Sequence, residues 1–226
     1  MKTCILNFSS KDNKIYMKGQ RRLAQSLKSV KYKGDVILWQ SESQFGCPPH
    51  SKVPYAFKPY ALDWARSQGY DLALWLDASF YAIRPIEPVF NTIENEGYLM
   101  QNDGNRLGHW AHDKCLNKYD MTRDEAMGIK MYAAGCTGLN FANEKAQTYL
   151  KMWLEAATDG ESFQGPHKYD TKKVSDKRLR GHRHDMSVGS VLAHKLDMKY
   201  QKAWTVFTYG RQQDNPNVYF IAQGMK

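Results

Sequence analysis

The sequence predicts an α/β fold in which a mixed, mostly parallel sheet carries helices on both faces. Three observations predict it. Short apolar runs with strand character, Cys4 to Phe8, Asp35 to Trp39 and Leu72 to Leu76, alternate with segments of helical period. The run Leu72-Ala73-Leu74-Trp75-Leu76 is apolar at every position, as strands covered on both faces are. The chain has 226 residues, 42% hydrophobic and 24% charged, which fits one globular domain with a sizeable core and excludes a disordered or fibrous chain.

Each element has a local reason. Between the first two strands, Lys18 to Val30 has helical period, so the chain opens as a βαβ unit. After a Pro- and Ser-containing stretch from Ser41 to Pro54, Pro59 suits the first turn of a helix that carries Ala61, Leu62 and Ala65 and ends near Gly69. The apolar strand follows at once. Pro85 to Glu96 reads as a helix, and Tyr98 to Gln101 as a strand opening into the polar loop Asn102-Asp103-Gly104-Asn105. Thr122-Arg123-Asp124-Glu125 is a capping box. Ala133 to Phe141 reads as a strand of small residues. Ala146, Tyr149, Leu150, Trp153 and Ala157 then recur at helical spacing, with Asn143 as cap and Gly160 as stop. Glu161 to His184 is polar and aperiodic, a long basic loop of the functional or mobile kind. A helix over Asp185 to Leu196 and two short strands, Trp204 to Thr208 and Val218 to Ala222, complete the domain.

Charge is the less ordinary feature. Lys and Arg number 32 against 23 Asp and Glu, a formal +9 that implies acidic partners. The excess is local: residues 11 to 33 hold eight basic residues against one acid, and residues 168 to 183 hold seven against two. Cys4, Cys47, Cys115 and Cys136 form no close pair, so neither a disulfide framework nor a zinc knuckle is indicated, and a reducing compartment is expected. With no apolar run long enough for a signal peptide or a membrane span, a cytoplasmic location is expected.

The segment Leu74-Trp75-Leu76-Asp77-Ala78-Ser79-Phe80 is the most informative, because a buried strand ends in a carboxylate and a hydroxyl. In open α/β sheets ligands bind beyond the carboxyl ends of strands, and oxygen ligands there suit Mg²⁺ or Mn²⁺ carrying a nucleotide diphosphate. Asp77 also suits a plain turn, bonding local backbone N–H groups. Arg180-Gly181-His182-Arg183-His184-Asp185 closes the basic loop. Asp185 stands where an N-cap would, and equally where a carboxylate beside imidazoles could orient or deprotonate a hydroxyl. His182 and His184 are either metal ligands or loop residues. Lys58, beside Pro59 at a helix start, could meet a phosphate or remain solvated.

A βαβ start, a Lys/Pro-containing helix, Leu-Trp-Leu-Asp77-Ala-Ser-Phe and a proline-flanked helix occur in that order along nearly the whole chain. This order resembles the nucleotide-sugar glycosyltransferases of the GT-A fold, whose DxD motif stands at this strand end. More narrowly, it resembles small viral, phage and bacterial members such as the N-terminal glycosyltransferase domain of a chlorovirus capsid-glycosylating protein. The resemblance implies transfer of a sugar from a nucleotide diphosphate donor, UDP foremost, to a hydroxyl of a glycan or glycoprotein. It implies that Asn7, Phe8, Ser9, Tyr16 and Gln20 hold the donor's base and ribose, with Lys58, Asp77, Ala78 and Ser79 at the diphosphate and its Mn²⁺ or Mg²⁺. Asp103, Gly135, Cys136, His184 and Asp185 are implied at the acceptor, with Asp185 as general base or anchor. Two departures bear on the metal: Ser79 replaces the second carboxylate of the motif, and Gln223 stands where many relatives place a histidine ligand. Lys226 occupies the place of a diphosphate-binding lysine.

Other classes fit less well. A nucleic-acid-binding protein would explain the charge, but no helix-turn-helix, zinc finger or RRM signature is present, and no stable nucleic-acid partner is expected. A metal-dependent phosphoester hydrolase would use His182, His184, Asp185 and Asp77. A dinucleotide dehydrogenase needs a GxGxxG after the first strand, which is missing, as is the Gly-rich signature of nucleotidyltransferases.

Overall fold

The computed structural model describes residues 1–210 and 215–223. In chain order it forms β1 (Thr3–Phe8), α1 (Lys14–Ser29), β2 (Asp35–Trp39), a short 3-10 turn (Glu42–Phe45), α2 (Phe57–Ser67), β3 (Leu72–Leu76), β4 (Phe80–Ala82), α3 (Glu87–Glu96) and β5 (Tyr98–Arg106). Then come α4 (Leu107–Trp110), α5 (Asp113–Lys118), α6 (Arg123–Gly128), β6 (Lys130–Asn140), α7 (Glu144–Thr158), α8 (Asp185–Lys195), β7 (Phe207–Tyr209) and β8 (Phe220–Ala222).

The main sheet has the order β2-β1-β3-β6-β5. β1 runs parallel to both neighbours, with Cys4 beside Asp35 on one side and Ala73 on the other. β6 is antiparallel to β3 and β5, so it alone points against the rest of this sheet. The expected α/β class, mixed and mostly parallel, is what the chain forms. Alternation along the strands sorts the core into two layers. Cys4, Leu6, Ala73 and Trp75 pack on the side of α2, α7 and α8. Ile5, Leu72, Leu74 and Leu76 pack on the side of α1 and α3. All four cysteines are buried and free.

A second sheet, β4-β8-β7, lies on the α1 and α3 side, where Phe80, Phe207 and Phe220 join the core. One buried side chain fastens it to the main sheet. Gln101 Oε1 accepts the N–H groups of Val206 (2.7 Å) and Phe207 (3.1 Å), while its Nε2 donates to Phe207 O (3.1 Å).

Two expectations need correction. The polar stretch Asn102 to Asn105 is not a loop but the outer part of β5, whose pairing with β6 shifts register after Met100 and after Asn102. An edge strand can carry such residues because its outer ladder is paired only briefly, here with Gln201 at Met100 and Asn102, and bulges turn it away. The strand Phe80–Ala82 was not anticipated, since three residues give no readable period. The segment from 161 to 184 lacks helix or strand, as expected, and is tied to its surroundings by main-chain bonds. Arg180 N–H donates to His109 O (2.8 Å) and Arg183 N–H to Trp110 O (3.1 Å).

Candidate active site

The site begins where β3 stops. Asp77 N–H donates to Gly135 O (2.9 Å), and Asp77 O accepts from Phe80 N–H (3.0 Å), so the main chain alone makes the turn. The carboxylate is left for other partners. Its Oδ1 accepts from the Trp75 indole Nε1–H (2.7 Å) and stands 3.2 Å from Lys58 Nζ. Asp77 is therefore not the turn-forming aspartate that sequence allowed.

Lys58 sits in the first turn of α2 with its side chain 3% exposed. Its ammonium lies between two carboxylates, 3.2 Å from Asp77 Oδ1 and 2.7 Å from Asp185 Oδ2, and donates to Ala134 O (3.0 Å). Burial alone would lower the Lys58 pKa, but the two carboxylates outweigh it and hold the ammonium protonated. Asp185, 4% exposed, is pushed upward by burial against the pull of Lys58. The outer member is more open: the Asp77 side chain is 37% exposed. Three elements thus converge on one buried cation with a single partly open carboxylate. Lys58 does not stand free for a phosphate, because a lysine taken out of water must find anionic partners.

Asp185 is the first helical residue of α8, and His184 takes the cap position with φ 46° and ψ −108°. His184 Nδ1 bonds Phe163 O (2.8 Å), and its ring stacks on Tyr55 at 5.4 Å. Tyr55 also has positive φ, 62°. Two strained residues in mutual contact therefore flank the Lys58–Asp185 pair, where such strain is held only by surrounding structure.

Ser79 and Gln223 come to the same place. Gln223 N–H donates to Ser79 O (3.0 Å), and Arg22 Nη2 donates to that same oxygen (2.6 Å). The Ser79 hydroxyl has no hydrogen-bond partner among the described residues. Ala78, next to Ser79 in the chain, is buried. Lys226, with Gly224 and Met225, lies outside the described residues.

The expected donor-binding loop is different from its sequence reading. Asn7, Ser9 and Gln20 are buried and bonded to protein. Asn7 Nδ2 donates to Leu76 O (2.6 Å), clipping β1 to β3, and its Oδ1 accepts from Gln20 Nε2 (3.0 Å). Ser9 Oγ donates to Tyr16 O (3.3 Å). These polar groups satisfy one another at a strand end, where unpaired buried groups are costly. Phe8 packs against Phe45 and Phe57. Of this set, Tyr16 remains exposed.

The residues expected at the acceptor are mostly buried. Gly135 and Cys136 are buried within β6 and present nothing to solvent. Cys136 belongs to the core, and burial holds its thiol above the usual range. Gly135 serves the carboxylate instead: a Cβ there would stand 3.0 Å from Asp77 Oδ2. Asp103 is half-buried and accepts from Asn105 N–H (2.7 Å), and burial raises its pKa. His182 is fully buried and has both ring nitrogens occupied, by His112 N–H (3.2 Å) and Ser162 O (2.9 Å). Burial lowers its pKa to about 3, and with both ring nitrogens bonded to main chain it offers no free nitrogen to a metal. Without it, the ligand set for a phosphoester hydrolase does not assemble.

Sequence reasoning missed Trp75, Tyr55 and Tyr209. The Tyr209 phenol is pushed up to about 12, first by desolvation and then by Asp77 and Asp103. The run Tyr55-Ala56-Phe57-Lys58-Pro59-Tyr60, dense in aromatics around a lysine, was the available signal for Tyr55.

No protein-family model matches the chain, and no curated protein matches it. Solved structures do. A glycosyltransferase involved in the glycosylation of the major capsid of PBCV-1 is similar over 98% of this chain and 93% of its own, with TM-score 0.55 and 10% identity. Mouse xyloside xylosyltransferase 1 is similar over 98% of this chain and 96% of its own, with TM-score 0.52 and 10% identity. The bifunctional glycosyltransferase WbbM matches 98% of this chain with 45% of its own length, at TM-score 0.54 and 10% identity. At such identity the likeness is one of fold: the chain has the fold of these glycosyltransferases.

Proposed function

We propose that the chain is a glycosyltransferase that moves a sugar from a nucleotide diphosphate donor, UDP foremost, to a hydroxyl of a glycan or glycoprotein. The observation that carries the reading is the Asp77–Lys58–Asp185 cluster at the carboxyl end of β3, on a sheet shared with known glycosyltransferases. Ligands of open α/β sheets bind at that end. Asp77, partly open and braced by Trp75, faces the donor. Lys58 bridges the two carboxylates and fixes their direction, as a preorganised site requires. Asp185 stands on the acceptor side, as base or anchor for the incoming hydroxyl.

The oxygen donors fit Mg²⁺ or Mn²⁺ only as an ion brought with the donor. Asp77 offers one carboxylate, with Ser79 and Gln223 as neutral oxygens, and among the described residues no group of three His, Cys, Asp or Glu is set to hold a metal. Magnesium sites of one carboxylate completed by substrate phosphates are of this kind. When bound, such an ion neutralises the diphosphate leaving group.

Among the described residues no helix is long and apolar enough to cross a membrane. The test is release of nucleotide diphosphate from a panel of UDP-, GDP- and dTDP-sugars, with thermal shift on the same ligands. A donor that raises the melting temperature and is turned over supports the reading, with turnover lost in a folded Asp77→Ala variant. Undiminished turnover in that variant rejects the role of Asp77, and silence from every donor rejects the transferase.

A further inference from the structure

Four of the eight basic residues between 11 and 33 lie on one face of α1, and none of them pairs with the carboxylate cluster. The helix turns Gly19, Gln20, Leu23 and Leu27 inwards. Lys14, Lys18, Arg21, Gln25 and Lys28 recur at alternating spacings of four and three residues and are all exposed. At the helical 3.6 residues per turn they fall within an arc of about 80°, opposite the buried face, along roughly 21 Å of helix. Exposed Lys11 and Lys31 extend the stripe at its two ends. Among the described residues no acidic side chain pairs with any of these cations. At the N-terminal end Lys11, Lys14, Lys18 and Arg21 line a hollow of ≈ 620 Å³ together with Ile15 and Met17. Ile15 is 52% exposed and Tyr16 53%, unusual openness for large apolar side chains in this molecule.

We propose that this face of α1 docks on the surface of an anionic lipid bilayer. A straight row of long cationic side chains lies flat against a plane of negative headgroups, and each Lys or Arg brought there raises binding roughly fivefold. Ile15 and Met17, which line the same hollow as the cations, can enter the boundary between headgroups and acyl chains. A nucleic-acid duplex would use the cations but offers the sugar–phosphate backbone to Ile15, which leaves its apolar surface without a partner. The orientation is also productive. Tyr16 O is held by Ser9 Oγ (3.3 Å) just beyond β1, and β1 runs parallel to β3 with Leu6 beside Trp75. The apolar end of the stripe and Asp77 therefore share one end of the sheet. Docking does not rest on the transfer reaction, since neither Asp77 nor Asp185 contacts the stripe.

Flotation of the purified protein with phosphatidylcholine vesicles, with and without phosphatidylserine, tests this at low and high salt. Binding is expected only to vesicles containing phosphatidylserine, with release as salt screens the attraction. Lys14→Glu, Lys18→Glu and Arg21→Glu together should weaken it roughly hundredfold. Reversing Lys168, Lys172 and Lys173 in the other basic segment changes net charge equally and should leave it intact; all six side chains are exposed, so both variants should melt as the parent does. Ile15→Ser, which keeps every charge, should weaken vesicle binding further than duplex binding. The proposal is overturned by equal binding to both vesicle types or to neither, by equal loss in the two triple variants, by an unchanged Ile15→Ser, or by tighter binding to a duplex oligonucleotide than to the vesicles.

Discussion

Replacing Lys58 by Met removes the cation between Asp77 and Asp185 while keeping most of the side-chain volume. The two carboxylates do not suffer equally. Asp185, 4% exposed and 2.7 Å from the ammonium, is left buried and unpaired, whereas Asp77 is 37% exposed and water can take over. Breaking a buried pair by removing one partner costs about 3–5 kcal/mol, nearly all of it here from Asp185. At about 2–4 °C per kcal/mol for a chain of this size, the melting temperature should fall by roughly 6–20 °C. Lys58→Met with Asp185→Asn removes the stranded charge and should recover about half of the loss or more. The pH dependence has a definite sign. Without Lys58 the folded-state pKa of Asp185 rises further above its unfolded value, so ionisation opposes folding, and the deficit at pH 7 should shrink as pH falls toward about 5. Calorimetry or urea melts of the single and double variants measure all three quantities. A single-variant loss below about 1 kcal/mol, or a double variant as unstable as the sum of the singles, would refute the coupling between Lys58 and Asp185.

Three further outcomes are expected. His182, with its folded pKa lowered to about 3, is neutral in the native state and takes up a proton on unfolding below its ordinary value. Stability should therefore fall with pH through the weakly acidic range, by about 2 kcal/mol from this group at pH 5, and His182→Gln should flatten that slope by close to one proton. At Gly189 a Cβ would stand 2.6 Å from the hydroxyls of both Tyr132 and Tyr149, which are bonded to each other at 2.7 Å. Gly189→Ala should cost about 1–3 kcal/mol in urea melts, with partial rescue by Tyr149→Phe. Because Asp77 is the one carboxylate open to a cation, Mn²⁺ alone should leave the melting temperature unchanged, while Mn²⁺ with UDP should raise it; a shift from Mn²⁺ alone contradicts an ion carried by the donor.

Much of this was legible in sequence where burial leaves a periodic mark. Cys4 to Phe8, Asp35 to Trp39 and Leu72 to Leu76 read as strands because apolar runs bounded by polar residues have few other uses, and Asn143 and Thr122 announced their helices by capping chemistry. Asp77, Lys58 and Asp185 were each visible as candidates, but not as one cluster. A lysine is almost never fully buried, so Lys58 in a helix's first turn reads as solvated or anion-seeking until a fold brings two carboxylates to it. Asn7, Ser9 and Gln20 show the reverse failure. A polar residue at a strand end serves a ligand or its neighbours with the same side chain, and only burial with Leu76 O and Trp39 O as acceptors decides between them. The outer part of β5 was hidden by its edge position, where polar residues and bulges erase the two-residue period.

The candidate site draws Asp77 from the main sheet's end and Gln223 from beyond the last strand of the second sheet, so its geometry is as stable as the seam between those sheets. Two polar fasteners hold the second sheet in place: the Gln101 amide ties it to the main sheet, and Arg22 of α1, donating to Ser79 O and Gln223 O, ties it to the helix beside it. A sliding of one sheet over the other by a fraction of a residue would carry Ser79 and Gln223, which are bonded to each other beside the β4–β8 ladder, past Asp77 without unfolding either sheet. The fasteners are hydrogen bonds rather than apolar contacts, and hydrogen bonds tolerate little lateral slip before they break. Reach across the donor site is thereby set at Gln101, a residue that touches none of the groups proposed to meet the donor.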